Sequence, residues 1–490
     1  MSKKAVVIGS GFGGLSAAVR LLARGYKVTV AERLDQPGGR ARVFEQDGFR
    51  FDAGPTIITA PFLFEELWAL AGERLSDDIE LVSLDPFYRI RFHDGEHFDY
   101  SGDRDRMREE ISRFNPGDLD GFDRFVKLTD ELCTTGFEKL GHVPFGSWKD
   151  MLRVVPDLAR LQAWRSVYGL ACRYFSDERL RQVFSFHPLL VGGNPFTTTA
   201  IYALINGLER RWGVHYVRGG TGQLVTGLVR LIEKLGGEVR LNSQVESIII
   251  DKGQARGIRL ESGETLESDI VISNADVPWT YGNLVQPERH QRWDEKRLAR
   301  LKPSMSLFVW YFGTRQQYPD VPHHTILLSA RYRGLIDDIF KNGQLADDFS
   351  LYLHRPTATD SSMAPSGCDA FYVLAPVPNL SNGTQWGDEA EQYRQKIERF
   401  LESTMLPGLR DQIMTSRMLT PQNFQDELLA VDGSAFGPQP IMTQSAWFRP
   451  HNRSEDVENL FLVGAGTHPG AGVPGVLSSA RVLDTVVTDA

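Results

Sequence analysis

Apolar positions near the start of the chain alternate between two kinds of run. Residues 5–8 form a short continuous apolar stretch, Leu15, Ala18, Val19 and Leu22 then recur at helical spacing, and Lys27-Val28-Thr29-Val30-Ala31 reads as a second strand. Gly25 stands where a helix stop belongs. This is the pattern of a strand–helix–strand unit with a parallel sheet. Strand-like pieces return at 238–241, 245–250, 255–260 and 269–273, the last ending in Asn274-Ala275-Asp276, and once more at 459–463. Between 118 and 208 the texture changes to Leu, Phe, Trp and Arg. There Leu158, Leu161, Tyr168 and Phe175 keep approximate helical spacing after Pro156, a residue suited to a first helical position. The pattern predicts an α/β chain with a helical insertion.

The first loop gives the strand–helix–strand unit a purpose. GSGFGG runs from Gly9 to Gly14 between the first strand and the helix, and Glu32 ends the second strand eighteen positions later. In such a loop the first glycine allows a tight turn, the second lets backbone approach a pyrophosphate, and the third lets helix pack on strand. The helix N-terminus supplies N–H donors to the phosphates, and the acidic strand end accepts from ribose hydroxyls. An ordinary tight turn with no ligand is the alternative, but the full context favours a dinucleotide. A glycine doublet and an arginine follow in Pro37-Gly38-Gly39-Arg40, then Asp52-Ala53-Gly54-Pro55-Thr56. An arginine presented by a glycine turn can neutralise pyrophosphate with charge-assisted hydrogen bonds; its plain counterpart is a solvated surface side chain. A second glycine-rich stretch, GAGTHPGAGVPGV from Gly464 to Val476, leaves only fourteen residues after it. A further βαβ unit needs about thirty, so this stretch is not an independent nicotinamide site.

Length and composition narrow the partners. The 490 residues are 41% hydrophobic and 24% charged with a net charge of -9, which fits a globular chain of two or three domains and argues against nucleic acid. Cys133, Cys172 and Cys368 show no paired spacing, so neither a disulfide framework nor a zinc site is indicated, and a reducing compartment fits. Lys3-Lys4 before an uncharged run imitates a secretory signal, but cleavage there would destroy the glycine loop. The longest stretch free of charge, 182–208, is broken by His187-Pro188 and Gly192-Gly193-Asn194-Pro195, so no transmembrane span is expected. From Lys149 to Arg181 seven basic residues face four acidic ones, and such a basic, apolar stretch suits either a membrane interface or ordinary packing.

The PGGR and DAGPT strings resemble FAD-binding oxidoreductases of the amine oxidase and carotenoid desaturase superfamily. FDAGPTIIT, LQAWRSVY, FSFHPLLVGGNPF, RGGTGQLV, SNADV, TQSAWFRPHNRS and LVGAGTHPGAGVPGV together resemble bacterial-type phytoene desaturases over nearly the whole chain. The resemblance implies a Rossmann-like FAD-binding domain assembled from 1–75, 215–285 and 445–490. It implies a substrate-binding domain from 76–117 and 286–444, and a helical, membrane-facing subdomain over 118–214. FAD is the implied cofactor, held by Gly9, Gly11, Phe12, Gly13, Gly14, Glu32, Arg33, Gly39, Arg40, Gly54, Pro55 and Thr56. From later in the chain Val245, Asn274, Gly464, Gly466, Gly472 and Val473 join them, the C-terminal segment lining the flavin and Val245 meeting adenine. The implied activity is repeated desaturation of phytoene to lycopene or neurosporene, with oxygen or a membrane quinone as electron acceptor. The group also contains diapophytoene desaturases and carotenoid isomerases, and the wider architecture includes prenyl-binding escort proteins. A cytoplasmic, peripheral membrane location follows.

The chemistry itself sets conditions. A hydrocarbon offers no polar handle, so recognition rests on apolar burial at about 0.8 kcal/mol per CH2, and an allylic CH2 is too weak an acid for a base to act first. Hydride transfer to flavin followed by proton loss is the expected order, with the protein supplying orientation and electrostatics. Asp150 and Arg153, at i, i+3, are the candidate catalytic pair, and that spacing equally suits a helix-surface ion pair. His187, His451 and His468 are expected to be packed or hydrogen-bonded. His323-His324 has no companion at ligand spacing and carries no metal reading from the sequence.

Overall fold

The computed structural model describes residues 2–286 and 292–490; residues 287–291, inside the stretch expected for the substrate-binding domain, lie outside the described residues. Five parallel strands make the first sheet, in the order Leu460–Leu462, Ile270–Ser273, Lys4–Ile8, Lys27–Ala31, Glu238–Arg240. Successive side chains of a strand point to opposite faces. Ala5 and Val7 accordingly join a core with the helices Phe12–Ala23, Gly222–Lys234 and Val473–Arg481. Val6 and Ile8 join a second core with the antiparallel strands Val245–Asp251 and Gln254–Leu260. With both faces covered, the strands can be apolar throughout, which is why Ala5-Val6-Val7-Ile8 shows no alternation.

A second sheet has seven strands in the order Ile413–Leu419, Ser306–Thr314, Asp369–Val377, Leu351–His354, His324–Leu327, Tyr88–Arg91, His97–Tyr100. Its pairs are antiparallel except His324–Leu327 with Tyr88–Arg91. All nine residues of Ser306–Thr314 are buried. Phe308, Trp310 and Phe312 pack under the helix Trp386–Thr404, whereas Leu307, Val309 and Tyr311 turn to the opposite face and its large mixed core. That opposite face fronts the cavity described below.

Between 119 and 212 the chain is helical, with Leu119–Leu132, Trp148–Arg160, Val167–Ala171, Glu178–Val183 and Leu204–Trp212. The helix expected to start at Pro156 starts instead at Trp148 and carries Pro156 inside it. The cause is local: Ser147 and Asp150 form a capping box, which satisfies the free N–H groups of the first turn eight residues earlier than Pro156 would. The chain leaves this helix at Leu161 and re-forms one only at Val167, so the spacing read through to Phe175 spans two separate helices.

Candidate functional site

The first strand ends at Ile8, and the N–H of Gly9, at φ 88°, donates to Ala31 O at 2.8 Å. The helix Phe12–Ala23 then begins with Gly11 as its N-cap and no side-chain cap, so its first N–H groups face the space beyond the strand ends. The three motif glycines divide the work. Gly9 makes the turn, and Gly11 lines a cavity. Gly14 lies outside the lining, and a Cβ there would stand 2.0 Å from Gly9 O, so this glycine exists for helix–strand contact. Gly13 is pressed as closely, since its Cβ would lie 2.4 Å from the Asn274 Oδ1 atom and 3.0 Å from the backbone nitrogen of Gly464. Asn274 is thus wedged between the two glycine-rich segments and sets their separation.

Glu32 is buried and borders the cavity. One carboxylate oxygen accepts from the N–H and hydroxyl of Ser10 at 2.8 and 2.6 Å, the other from Leu34 N–H at 2.9 Å. Arg33 also borders it, with its guanidinium donating to Gln244 and to the backbone oxygens of Asp426 and Glu427. Arg40 is different. Its side chain is half-buried, burial lowers its pKa, and its Nε has no hydrogen-bond partner among the described residues. Gly54 lets this turn seat, because a Cβ there would be 2.4 Å from Arg40 O. A half-buried guanidinium on a cavity wall, with its Nε unpaired and one Nη donating to Ser434 O at 3.4 Å, fits an anionic group, and with the uncapped helix start it forms a cradle suited to pyrophosphate. Gly39, Gly54, Pro55 and Thr56 complete this wall, and Val245 lies farther along it.

Gly464, Gly472 and Val473 line the same cavity from the C-terminal segment, whereas Gly466 does not; its absent side chain makes room for Val277, 2.6 Å from where a Cβ would be. The segment is held by Arg449, a side chain not singled out in the sequence. Buried, it donates to four backbone carbonyls, Thr467 at 3.0 Å, Gln444 at 3.2 Å, Pro438 at 3.3 Å and Ala465 at 2.6 Å. His468 borders the cavity too. Its Nε2 donates to Leu140 O at 3.0 Å, and burial pushes it down to about 4, so it is neutral at pH 7.

The cavity, about 570 Å³, continues from the glycine loops into a region walled by apolar side chains. Met151, Val154, Leu158 and Leu161 face it from the helical segment, and Leu307, Ile326 and Leu374 from the seven-stranded sheet. Asp150 and Arg153 are not on this wall. Asp150 accepts from the Ser147 N–H and hydroxyl at 2.9 and 2.8 Å, and Arg153, 3.6 Å from it, is 80% exposed. Because a helix turns 100° per residue, the face that puts Met151 and Val154 inward puts this pair outward.

A different acidic residue borders the cavity. Glu209, 1% exposed, borders the cavity and meets Tyr88 OH at 2.6 Å and His187 Nε2 at 3.2 Å. Burial raises the Tyr88 phenol well above its ordinary value, so it stays a donor. Thr56 and Tyr352 hydrogen-bond at 2.6 Å on the neighbouring wall, and Tyr352 continues to His324 Nδ1 at 2.7 Å. Neither Glu209 nor this chain is signalled by a local motif.

Comparison with known proteins accords with the geometry. The family model of flavin containing amine oxidoreductases matches residues 12–482. A lycopene-forming phytoene desaturase of Pseudescherichia vulneris is 50% identical, with 99% of each chain covered. A neurosporene-forming one of Cereibacter sphaeroides is 46% identical, covering 99% of this chain and 95% of its own. The chain belongs to the flavin containing amine oxidoreductase family. Among solved structures, putrescine oxidase bound to putrescine matches over 100% of both chains with a TM-score of 0.67 at 15% identity, a likeness of fold. As a flavin containing amine oxidoreductase the chain uses FAD, and its phytoene desaturase relatives place it among the carotenoid desaturases of that family.

Proposed function

We propose that the chain converts phytoene to lycopene or neurosporene, with FAD along the glycine loops and the hydrocarbon in the apolar reach of the same cavity. The observation that carries this reading is the continuity of one cavity from a cradle suited to pyrophosphate to walls that are mainly apolar. Gly11 and the start of its helix would receive the phosphates, Arg40 their charge, and Glu32 the ribose hydroxyls. Bound there, the flavin supplies a hydride acceptor. The protein's own task is the proton: once the hydride has left, a neighbouring C–H bond gives its electron pair to the new C=C and its proton to a base. Glu209 is assigned that role, because the residue borders the cavity and Tyr88 and His187 fix the orientation of its carboxylate. Replacing the Glu209 carboxylate by an amide of the same shape, as Glu209→Gln, should slow desaturation about 10²–10⁴-fold, the ordinary contribution of a positioned base, with FAD content unchanged. Incubation of the flavoprotein with phytoene in liposomes, followed by chromatography of the products, tests both claims. No oxidised carotenoid from the wild type refutes the activity, and full-rate Glu209→Gln refutes the base.

Delivery of an insoluble substrate completes the reading. Trp148 and Leu152 on one helix and Trp164 just beyond it are 59%, 56% and 64% exposed, beside Lys149 and Arg153. No helix among the described residues is long and apolar enough to cross a membrane. We read this patch as a peripheral docking surface on lipid, through which phytoene passes behind Met151 and Val154 into the cavity. Oxygen or a membrane quinone is the proposed electron acceptor.

A further inference from the structure

Outside that cavity, the seven-stranded sheet gathers three histidines. Strand register sets His324 directly opposite His354, and His323 precedes the same strand. All three are buried, at 8%, 2% and 2% exposure for His323, His324 and His354. One ring nitrogen from each lies within 4.8 Å of the others, and the Nε2 atoms of His323 and His354 are 3.1 Å apart. Two of the rings are anchored from behind through Nδ1, His323 on the hydroxyl of Thr359 and His324 on that of Tyr352, each at 2.7 Å. Such an anchor fixes tautomer and orientation and leaves Nε2 as the ligand atom, which is how metal-binding histidines are commonly held. The Nε2 of His324 is buried with no hydrogen-bond partner among the described residues, a costly condition that a ligand would remove.

We propose that His323, His324 and His354 form a binding site for one divalent transition-metal ion of the Zn2+ class. Three imidazoles and an open fourth position suit zinc, whereas magnesium and calcium prefer oxygen ligands. Zn–N bonds of about 2.0–2.1 Å at a tetrahedral centre put the nitrogens about 3.4 Å apart. The His323–His354 pair, hydrogen-bonded Nε2 to Nε2 at 3.1 Å, is close to that spacing and would give up its shared proton as the ion binds, and His324, with its ligand nitrogen within 4.8 Å of theirs, can close on it without giving up an Nε2 hydrogen bond. The sequence hides the site because thirty residues separate His324 from His354, and only the register of two antiparallel strands joins them. The ion would tie these strands to the turn carrying Thr359, independently of flavin or substrate.

The full-length flavoprotein, expressed with zinc, should retain about one Zn2+ per chain by mass spectrometric metal analysis after dialysis. Chelator-treated protein should take up Zn2+ again and melt at higher temperature in its presence, since a ion bound only by the folded state stabilises it. His324→Gln and His354→Gln should lose the stoichiometric metal, and exposed His93→Gln should keep it. Thr359→Val leaves all three ligands in place and should weaken Zn2+ binding roughly 10–100-fold, the usual effect of removing an anchor behind a ligand. If the histidine variants do not fold, Thr359→Val and the wild-type titration still decide. Wild-type protein that binds no Zn2+, or Zn2+ binding unaltered by Thr359→Val, overturns the site.

Discussion

Gly11 and Gly14 are three residues apart in one motif, yet their surroundings predict opposite failures. Gly11 has an ordinary φ of −68°, and an added Cβ would meet the Asn274 Nδ2 atom at 3.0 Å and Gly38 O at 3.9 Å. A shift of a few tenths of an ångström in one amide side chain accommodates it. Gly11→Ala should therefore fold and melt like the wild type. Its methyl group, however, stands on the cavity wall where backbone must approach phosphate. Displacing two charge-assisted hydrogen bonds at about 1.5–3 kcal/mol each is a loss of about 3–6 kcal/mol, or roughly 10²–10⁴-fold in FAD affinity. At Gly14 the Cβ would lie 2.0 Å from Gly9 O. Carbon–oxygen contact needs about 3.3 Å, so helix and strand must separate by more than 1 Å. That overpacking costs about 1–3 kcal/mol or more. Gly14→Ala should lower the melting temperature of the flavin-free protein, which Gly11→Ala should not. Thermal unfolding without FAD and fluorescence titration with FAD separate the two effects. Wild-type FAD affinity in Gly11→Ala, or an unchanged melting temperature in flavin-free Gly14→Ala, would refute the division of roles.

Three further outcomes follow from particular side chains. Burial lifts the Asp52 carboxyl from 3.8 to about 6, so the folded chain keeps a proton that the unfolded chain releases; the stability it contributes is full below about pH 4 and is lost, by about 3 kcal/mol, as pH rises through 6. The stability of Asp52→Asn relative to wild type should thus increase between pH 4 and pH 7 in chemical denaturation, and a difference independent of pH would exclude this. Replacing Trp148, Leu152 and Trp164 together by Ser should abolish flotation with anionic liposomes while leaving FAD content intact; undiminished flotation would place lipid contact elsewhere. Asp150→Asn, which can still accept from Ser147, should desaturate at the wild-type rate, and Asp150→Ala should lose about 1 kcal/mol of local helix stability by hydrogen exchange; a large rate loss in Asp150→Asn would return the carboxylate to the chemistry.

What could be read from the sequence depended on how far apart in the chain the necessary partners lie. The nucleotide loop is legible because turn, close approach and helix start are all requirements on adjacent residues. Glu209 is not, because in Leu208-Glu209-Arg210-Arg211 it looks like part of a charged helix face. Its burial follows from Tyr88 and His187, which lie 121 and 22 residues away. Arg449 is hidden for a related reason: its four acceptors are backbone carbonyls, which leave no trace in side-chain pattern. Asp150 and Arg153 show the converse. Their spacing was visible, but the orientation of their helix depends on packing around the cavity, and that packing turns Met151 and Val154 inward instead.

The helix Trp148–Arg160 shows how one amphipathic face can meet two surroundings. A helix packed on its own domain shows one apolar face, and one apolar all round is buried. This helix has one apolar face but only part of it is packed: Met151, Val154 and Leu158 border the cavity, Trp148, Leu152 and Val155 on the adjoining edge are exposed, and Val154 alone is fully buried. Leaving two large outward side chains in water forgoes about 1.5–3 kcal/mol for each that a partner surface would cover. On the proposed reading the inward edge lines the path of the hydrocarbon, so its apolar character serves the substrate more than the packing of the fold. On the same reading the exposed edge meets the apolar medium from which that hydrocarbon comes. The apolar arc runs without a break from Val154 through Met151 and Trp148 to Leu152, with Asp150, Arg153 and Asp157 on the opposite side of the helix, and its two edges can be tested apart: substitutions at Trp148 and Leu152 should change liposome binding, and those at Met151 and Val154 should change turnover of phytoene already bound.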